Sequence, residues 1–164
     1  SIHMKFIFLS LFLISSTLLA QTPTDYLSKE FHKQRREILR SKMPKNSVTT
    51  IFANPIRNRA NDVDFTFHQN PNFYYLTGFR EPNAVLVLFS DNQTNSNGTV
   101  FNEILYVPKR DIKAELWNGK RLGVEGVKKE LAFKVAKTSE EYLTDKTDFN
   151  KFDNKNENRN IIIR

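Results

Sequence analysis

The sequence predicts an α/β domain built on a mixed β-sheet flanked by helices, and three observations carry that expectation. Strand-like runs, "SVTTIFA" at 47–53, "AVLVLFS" at 84–90 and "EILYV" at 103–107, alternate with helix-like segments, the order expected when helices pack on a sheet. The run at 84–90 is apolar almost throughout, which suits a central strand covered on both faces. "DNQTNSNGT" at 91–99 holds an Asn-Gly dipeptide between two of the runs, and this is a hairpin signal that makes the pair antiparallel. The 164 residues, 39% of them hydrophobic, are enough for one domain. A chain of that size buries roughly two thirds of the surface its unfolded form exposes.

Each element follows in order. Thr24 or Asp25 caps a helix running to about Met43, with Tyr26, Leu27, Phe31, Ile38 and Leu39 on its inner face, and Pro44 stops it. The strand at 47–53 is β-branched and aromatic. "NPIRNRAND" at 54–62 reads as a polar loop, and "VDFTFHQ" at 63–69 as a half-buried strand alternating Val63, Phe65 and Phe67 with polar residues. Asn70-Pro71 places a capping side chain before a proline at the first helical position, and Gly78 is set to end that short helix. Phe73, Tyr74, Tyr75 and Phe79 are expected in the core around it. Pro108 ends the strand at 103–107. Arg110 to Trp117 is helical by composition, closed by Asn118-Gly119, and "VEGVKKELAF" supplies another helix. Thr138 to Glu141 resembles a capping box opening a helix to about Phe152. "NKNENRN" is expected as a loop and "IIIR" as a further strand.

Composition excludes several classes. The chain has no cysteine, so it holds neither a disulfide nor a thiolate zinc site. The net charge of +7 and pI near 9.6 raise the possibility of a nucleic-acid partner. The basic residues are scattered among acids and apolar residues, however, and no nucleic-acid-binding motif is present, so no nucleic-acid partner is expected. Ser1-Ile2-His3 ahead of Met4 reads as a vector scar. "MKFIFLSLFLISSTLLAQ" has one early lysine, an apolar run from Phe6 and Ala20 before Gln21, the layout of a secretory signal peptide over 4–20. Its apolar run is shorter than the ~20 residues of a spanning helix. The mature chain is therefore expected to be exported, periplasmic or secreted, with no membrane association once the leader is removed.

Catalytic machinery should leave convergent polar residues, and little here converges. Of the three histidines, His3 belongs to the scar, His32 is expected on a helix surface and His68 on the polar face of a strand. Asp62 and Asp64 share a strand face but lack further ligands, and Glu140 and Glu141 are explained by helix capping. No zinc-protease, serine-hydrolase or phosphate-loop motif occurs. The residues alone predict no catalytic group and no metal ligand. The sequons Asn92-Gln-Thr and Asn97-Gly-Thr lie in the hairpin turn. One oddity remains: Trp117, the single tryptophan, sits in the hydrophilic stretch "AELWNGKRLG" at 114–123.

"FHQNPNFYYLTGFREPNAVLVL" and "AELWNGKRLG", in this order and spacing, resemble the N-terminal domain of aminopeptidase P, the Xaa-Pro aminopeptidase branch of the creatinase/prolidase family. The likeness runs from about Tyr26 to the chain end, so the domain is expected over 21–164. It implies a mixed-sheet fold with a ribonuclease H-like motif, in a peptidase that removes an N-terminal residue preceding proline. It also implies a separate pita-bread catalytic domain, outside these residues, in which two divalent ions, usually Mn²⁺, are held by two aspartates, one histidine and two glutamates and activate water. The fragment is then expected to hold no cofactor and to be inactive alone, its partners being its own catalytic domain, other copies in a homo-oligomer, and short peptides with proline second. The resemblance places Trp117 where a tryptophan reaches towards a neighbouring subunit's active site, making Trp117 a candidate substrate-binding residue. Arg121 is a second candidate, offering a fixed charge to a peptide carboxylate or carbonyl. The other readings are that Trp117 packs beneath its own helix with Arg121 solvated, and that the chain is a stand-alone peptide- or protein-binding module of the same fold without a hydrolase.

Overall fold

The strand Val85–Thr94 (β4) lies at the centre of the molecule, and its apolar run is buried because both of its faces are covered. The structure, a computed structural model, describes residues 27–61 and 63–158. In chain order the remaining elements are helix α1 (Lys29–Ser41), strands β1 (Ser47–Phe52), β2 (Asn58–Ala60) and β3 (Val63–Asp64), and helix α2 (Pro71–Thr77). After β4 come β5 (Val100–Val107), α3 (Ile112–Asn118), α4 (Gly123–Glu130), β6 (Ala136–Thr138), α5 (Ser139–Asp145), a 3₁₀ turn (Lys146–Lys151) and β7 (Asn154–Asn158).

Five strands form one sheet in the order β6-β5-β4-β1-β7. The inner three are antiparallel, and each edge strand joins its neighbour in parallel. Strand alternation sends Ile51, Leu86, Leu88, Leu105 and Val107 to one face, where they meet Phe73 and Leu76 of α2, Val127 of α4, and Leu39 of α1. It sends Val48, Val85, Val87, Phe89, Ile104 and Tyr106 to the other, covered by Tyr142 of α5 and by Phe149 and Phe152. Each fully buried aliphatic or aromatic side chain contributes about 1.5–3 kcal/mol, so the two layers supply the main drive to fold. The mixed sheet with helices on both faces is the architecture anticipated. Among the described residues no helix is long and apolar enough to cross a membrane.

Local chemistry sets the helix ends. Asn70 Oδ1 accepts the Asn72 N–H at 2.9 Å, Pro71 opens α2, and Gly78 closes it with φ +70°. A Cβ at Gly78 would also lie 2.7 Å from the His32 ring, so that position needs glycine for its conformation and for its space. Thr138 and Glu141 form the expected capping box, Glu141 Oε2 accepting the Thr138 N–H at 2.7 Å.

Several expectations are corrected. Helix α1 is capped by Ser28, whose Oγ accepts the Phe31 N–H; the expected caps, Thr24 and Asp25, lie outside the described residues. Its inward residues are His32 and Arg36 beside Leu39, while Leu27 and Ile38 are exposed. The cause lies on β5: Glu103 faces α1, and the helix answers it with Arg36, not with an apolar residue. Arg36 donates from Nε and Nη2 to the Glu103 carboxylate at 2.8 and 3.0 Å and from Nη1 to the Leu76 carbonyl at 2.9 Å. Its guanidinium also lies 4.0 Å from the centre of the Phe133 ring.

The strand expected over 63–69 is only Val63–Asp64, paired with β2 in a two-stranded ribbon apart from the main sheet. Phe65 is exposed, because the alternation has no sheet face to bury against. Gln69 organises this region instead, accepting the Asn54 N–H and donating to the Phe79 and Glu81 carbonyls. Residues 154–158, expected as a loop, form β7, whose polar side chains are tolerated at an exposed edge paired to β1 through backbone alone. The helix from Ser139 ends at Asp145 and continues to Lys151 as a 3₁₀ turn. Tyr75 is exposed, whereas Phe73 and Phe79 are in the core. The leader at 4–20, Tyr26, Asp62 and the strand anticipated at 161–164 lie outside the described residues.

Candidate functional site

Helix α3 stands on the surface and buries none of its residues. Its exposed residues include Ile112 (75%), Leu116 (82%) and Trp117 (90%). The reading in which Trp117 packs beneath its own helix is therefore excluded. A tryptophan ring of roughly 150–250 Å² left in water, next to two further large apolar side chains, is the mark of an interaction surface.

The helix is shaped by polar contacts at its ends. Asp111 caps it, Oδ1 accepting the Lys113 and Ala114 N–H groups at 2.9 and 3.2 Å. Arg110 makes a two-pronged contact with Glu115, Nε to Oε1 at 2.8 Å and Nη2 to Oε2 at 2.7 Å. That hydrogen-bonded guanidinium holds the Glu115 carboxyl below the usual range, and the carboxylate in turn raises Arg110. Gly119 ends the helix with φ +79°.

Beneath α3 runs a groove of about 170 Å³ whose lining includes Ile56, Glu81, Asp111, Glu115, Asn118 and Arg121. Arg121 is thus brought to the groove rather than left fully solvated, and it neighbours Glu81 closely enough for its charge to lower the Glu81 pKa. Burial is the larger influence on Glu81 and pushes its carboxyl above the usual range, opposed by the Leu122 N–H and by Arg121. Glu81 Oε1 accepts that Leu122 N–H at 2.8 Å. The groove thus brings Glu81 and Arg121 into one lining, while Trp117 stands exposed on the helix that borders it.

Trp117 and Arg121 lie four residues apart in the sequence, the first exposed on α3 and the second lining the groove. Sequence reasoning did not single out Glu81, Arg110 or Glu115. Glu115 stands inside the stretch "AELWNGKRLG" and Glu81 inside "GFREP", but their contacts become visible only when the turn before β4 meets the segment after α3. The remaining candidates for chemistry do not gather here. His32, expected at the surface, is buried, with Nδ1 2.8 Å from the Tyr75 carbonyl and Nε2 without a partner. His68 is exposed, and Asp64 accepts from Asn58 Nδ2 at 3.3 Å. Among the described residues no three His, Asp or Glu side chains are grouped to hold a metal ion.

Comparison with known proteins agrees with the fold. The family model "Aminopeptidase P, N-terminal domain" matches residues 32–156. A Xaa-Pro aminopeptidase of Escherichia coli strain K12 is 38% identical over 113 residues, covering 65% of this chain and 24% of that protein. Xaa-Pro aminopeptidase 3 of Homo sapiens is 42% identical over 83 residues, 49% of this chain and 16% of that protein. Among solved structures, E. coli aminopeptidase P with the inhibitor Pro-Leu superposes with a TM-score of 0.66 at 31% identity, covering 76% of this chain and 27% of that one. The chain spans about a quarter of the length of the E. coli relative. By its sequence match and its fold, the chain belongs to the aminopeptidase P N-terminal domain family.

Proposed function

We propose that this chain is the non-catalytic N-terminal domain of an exported Xaa-Pro aminopeptidase, a peptidase that removes the residue preceding proline. Its work is to assemble subunits into a homo-oligomer and to restrict access to an active site carried by a separate domain. The observation that carries this reading is the exposed edge of Ile112, Leu116 and Trp117. A surface of this kind awaits another protein surface, and a rigid ring beside a guanidinium can wall a passage while losing little side-chain entropy.

The mechanism is steric. A wall at the mouth of a catalytic cleft admits an extended peptide terminus and excludes a folded protein. Trp117 supplies the wall, and Arg121 supplies a charge for a peptide carboxylate or carbonyl. The hydrolytic water belongs with two divalent ions, Mn²⁺ by family resemblance, on the catalytic domain.

The test compares this chain with the protein encoded when the reading frame is followed beyond Arg164, both given an Xaa-Pro peptide and Mn²⁺. The expected result is release of the first residue by the longer protein and none by this chain. Cleavage by the pure chain, or a stop codon at once after Arg164, overturns the proposal; the latter outcome favours a stand-alone binding module.

A further inference from the structure

We propose that Glu81 is the positioning residue of the Trp117–Arg121 edge, tying the segment after α3 to the body of the domain. The inference rests on the reading that this edge is the working surface. Because α3 buries none of its residues, the hydrophobic core does not fix its position, and polar ties at its ends must do so. At the start, Asp111 caps the helix and Arg110 grips Glu115. The stem of Arg110 packs on Gly123, where a Cβ would lie 2.7 Å from Arg110 Cγ.

At the far end the segment 119–122 leaves the helix through Gly119, around which a Cβ would meet nothing within 4 Å. Two successive amides there face carboxylates: the Arg121 N–H helps to lower the Glu115 pKa, and the Leu122 N–H donates to Glu81 Oε1 at 2.8 Å. The first tie is local to α3. The second comes from a residue 41 positions away in sequence, so it sets where the segment sits relative to the sheet. Glu81 itself stands on firm ground: Gln69 Nε2 donates to its carbonyl at 2.8 Å, and Pro82 follows it. A hydrogen bond to an ionised acceptor is roughly twice as strong as a neutral one.

The carboxylate does what an amide would not. Glutamine would accept the same Leu122 N–H, but only a charge also draws the Arg121 guanidinium. That charge is held at a cost, since burial pushes the Glu81 carboxyl above its usual range despite Arg121 and Arg110, with Glu115 adding to the rise. The sign is definite. A raised carboxyl pKa means that the folded state favours the protonated form, so this group's contribution to stability is present at low pH and lost as pH rises through its folded pKa. Neutralising Glu81 should therefore leave global stability at neutral pH unchanged or higher while altering the edge.

Trp117 is the single tryptophan, so its fluorescence anisotropy reads this edge directly. The experiment measures anisotropy against pH for the present chain, Glu81→Gln and Glu81→Ala, with unfolding by urea followed by circular dichroism. Glu81→Ala is expected to lower the anisotropy of Trp117 in the folded protein. Glu81→Gln is expected to retain most of the anisotropy, to unfold at an equal or higher urea midpoint at neutral pH, and to abolish a pH-dependent change seen in the parent above the ordinary glutamate range. Unchanged anisotropy in a folded Glu81→Ala, or a parent pH profile retained in Glu81→Gln, overturns the proposal. Should Glu81→Ala fail to fold, the Glu81→Gln profile decides. Peptide cleavage by the longer protein carrying Trp117→Ala separates the two ideas: undiminished cleavage removes the functional reading of the edge while leaving the role of Glu81 to the anisotropy.

Discussion

Replacing Arg36 by alanine should be among the most damaging single changes in this domain. Arg36 is fully buried, makes two hydrogen bonds to Glu103 and one to the Leu76 carbonyl, and lies over the Phe133 ring. Removing it leaves the carboxylate of Glu103, a buried residue, without its main partner. Breaking a buried pair in this way costs about 3–5 kcal/mol. Arg40 Nη1, 3.7 Å from Glu103 Oε2, offers partial replacement, which places the expected loss near the lower end, about 3 kcal/mol. Against a total stability of about 5–15 kcal/mol, that is a large fraction, and for a domain of this size it corresponds to a fall in Tm of roughly 6–12 °C. Equilibrium unfolding in urea followed by far-ultraviolet circular dichroism measures it. The double variant Arg36→Met with Glu103→Leu removes both charges together and should recover most of the loss, because the penalty lies in the orphaned carboxylate more than in the missing attraction. A loss within about 0.5 kcal/mol for Arg36→Ala, the size of an ordinary surface change, would refute the claim that this pair organises the α1 face.

Two further substitutions probe other parts of the fold. Gly78→Ala places a side chain at φ +70° with its Cβ 2.7 Å from the His32 ring, and should destabilise by about 2–3 kcal/mol in the same unfolding assay; a neutral outcome would contradict the close approach of α2 to α1. Glu141→Ala leaves the Thr138 N–H without its carboxylate acceptor and should cost about 1 kcal/mol, visible as a lower urea midpoint with an unchanged slope.

Local chemistry was legible in the sequence, and partnerships across long sequence distances were not. Asn70, Pro71 and Gly78 mark the two ends of α2 because capping is an affair of neighbours within a turn. The hairpin between β4 and β5 and the capping box at Thr138 are legible for the same reason. The inner face of α1 was hidden, since apolar periodicity cannot anticipate that Glu103, 67 residues on, will require an arginine. The alternation at 63–69 misled because a period of two promises a strand without saying which sheet will receive it. The edge strand β7 gave no apolar signal at all, being held by backbone pairing to β1. At the candidate site, Trp117 and Arg121 were identified through family resemblance, and the structure adds that Trp117 is exposed and that Arg121 lies by the groove. Glu81 was beyond reach because its only signature is a contact between segments 41 residues apart.

The central claim is that the Trp117 edge works on something outside its own domain. Quenching of Trp117 fluorescence by acrylamide tests this in the present chain and in the longer protein, using a form of the latter in which Trp117 is the only tryptophan. The account predicts free quenching in the chain alone, consistent with 90% exposure, and marked protection in the longer, assembled protein, together with a lower kcat/KM for Xaa-Pro peptides when Trp117 is replaced by alanine. Equal quenching in both proteins, with peptide cleavage indifferent to that substitution, would contradict it.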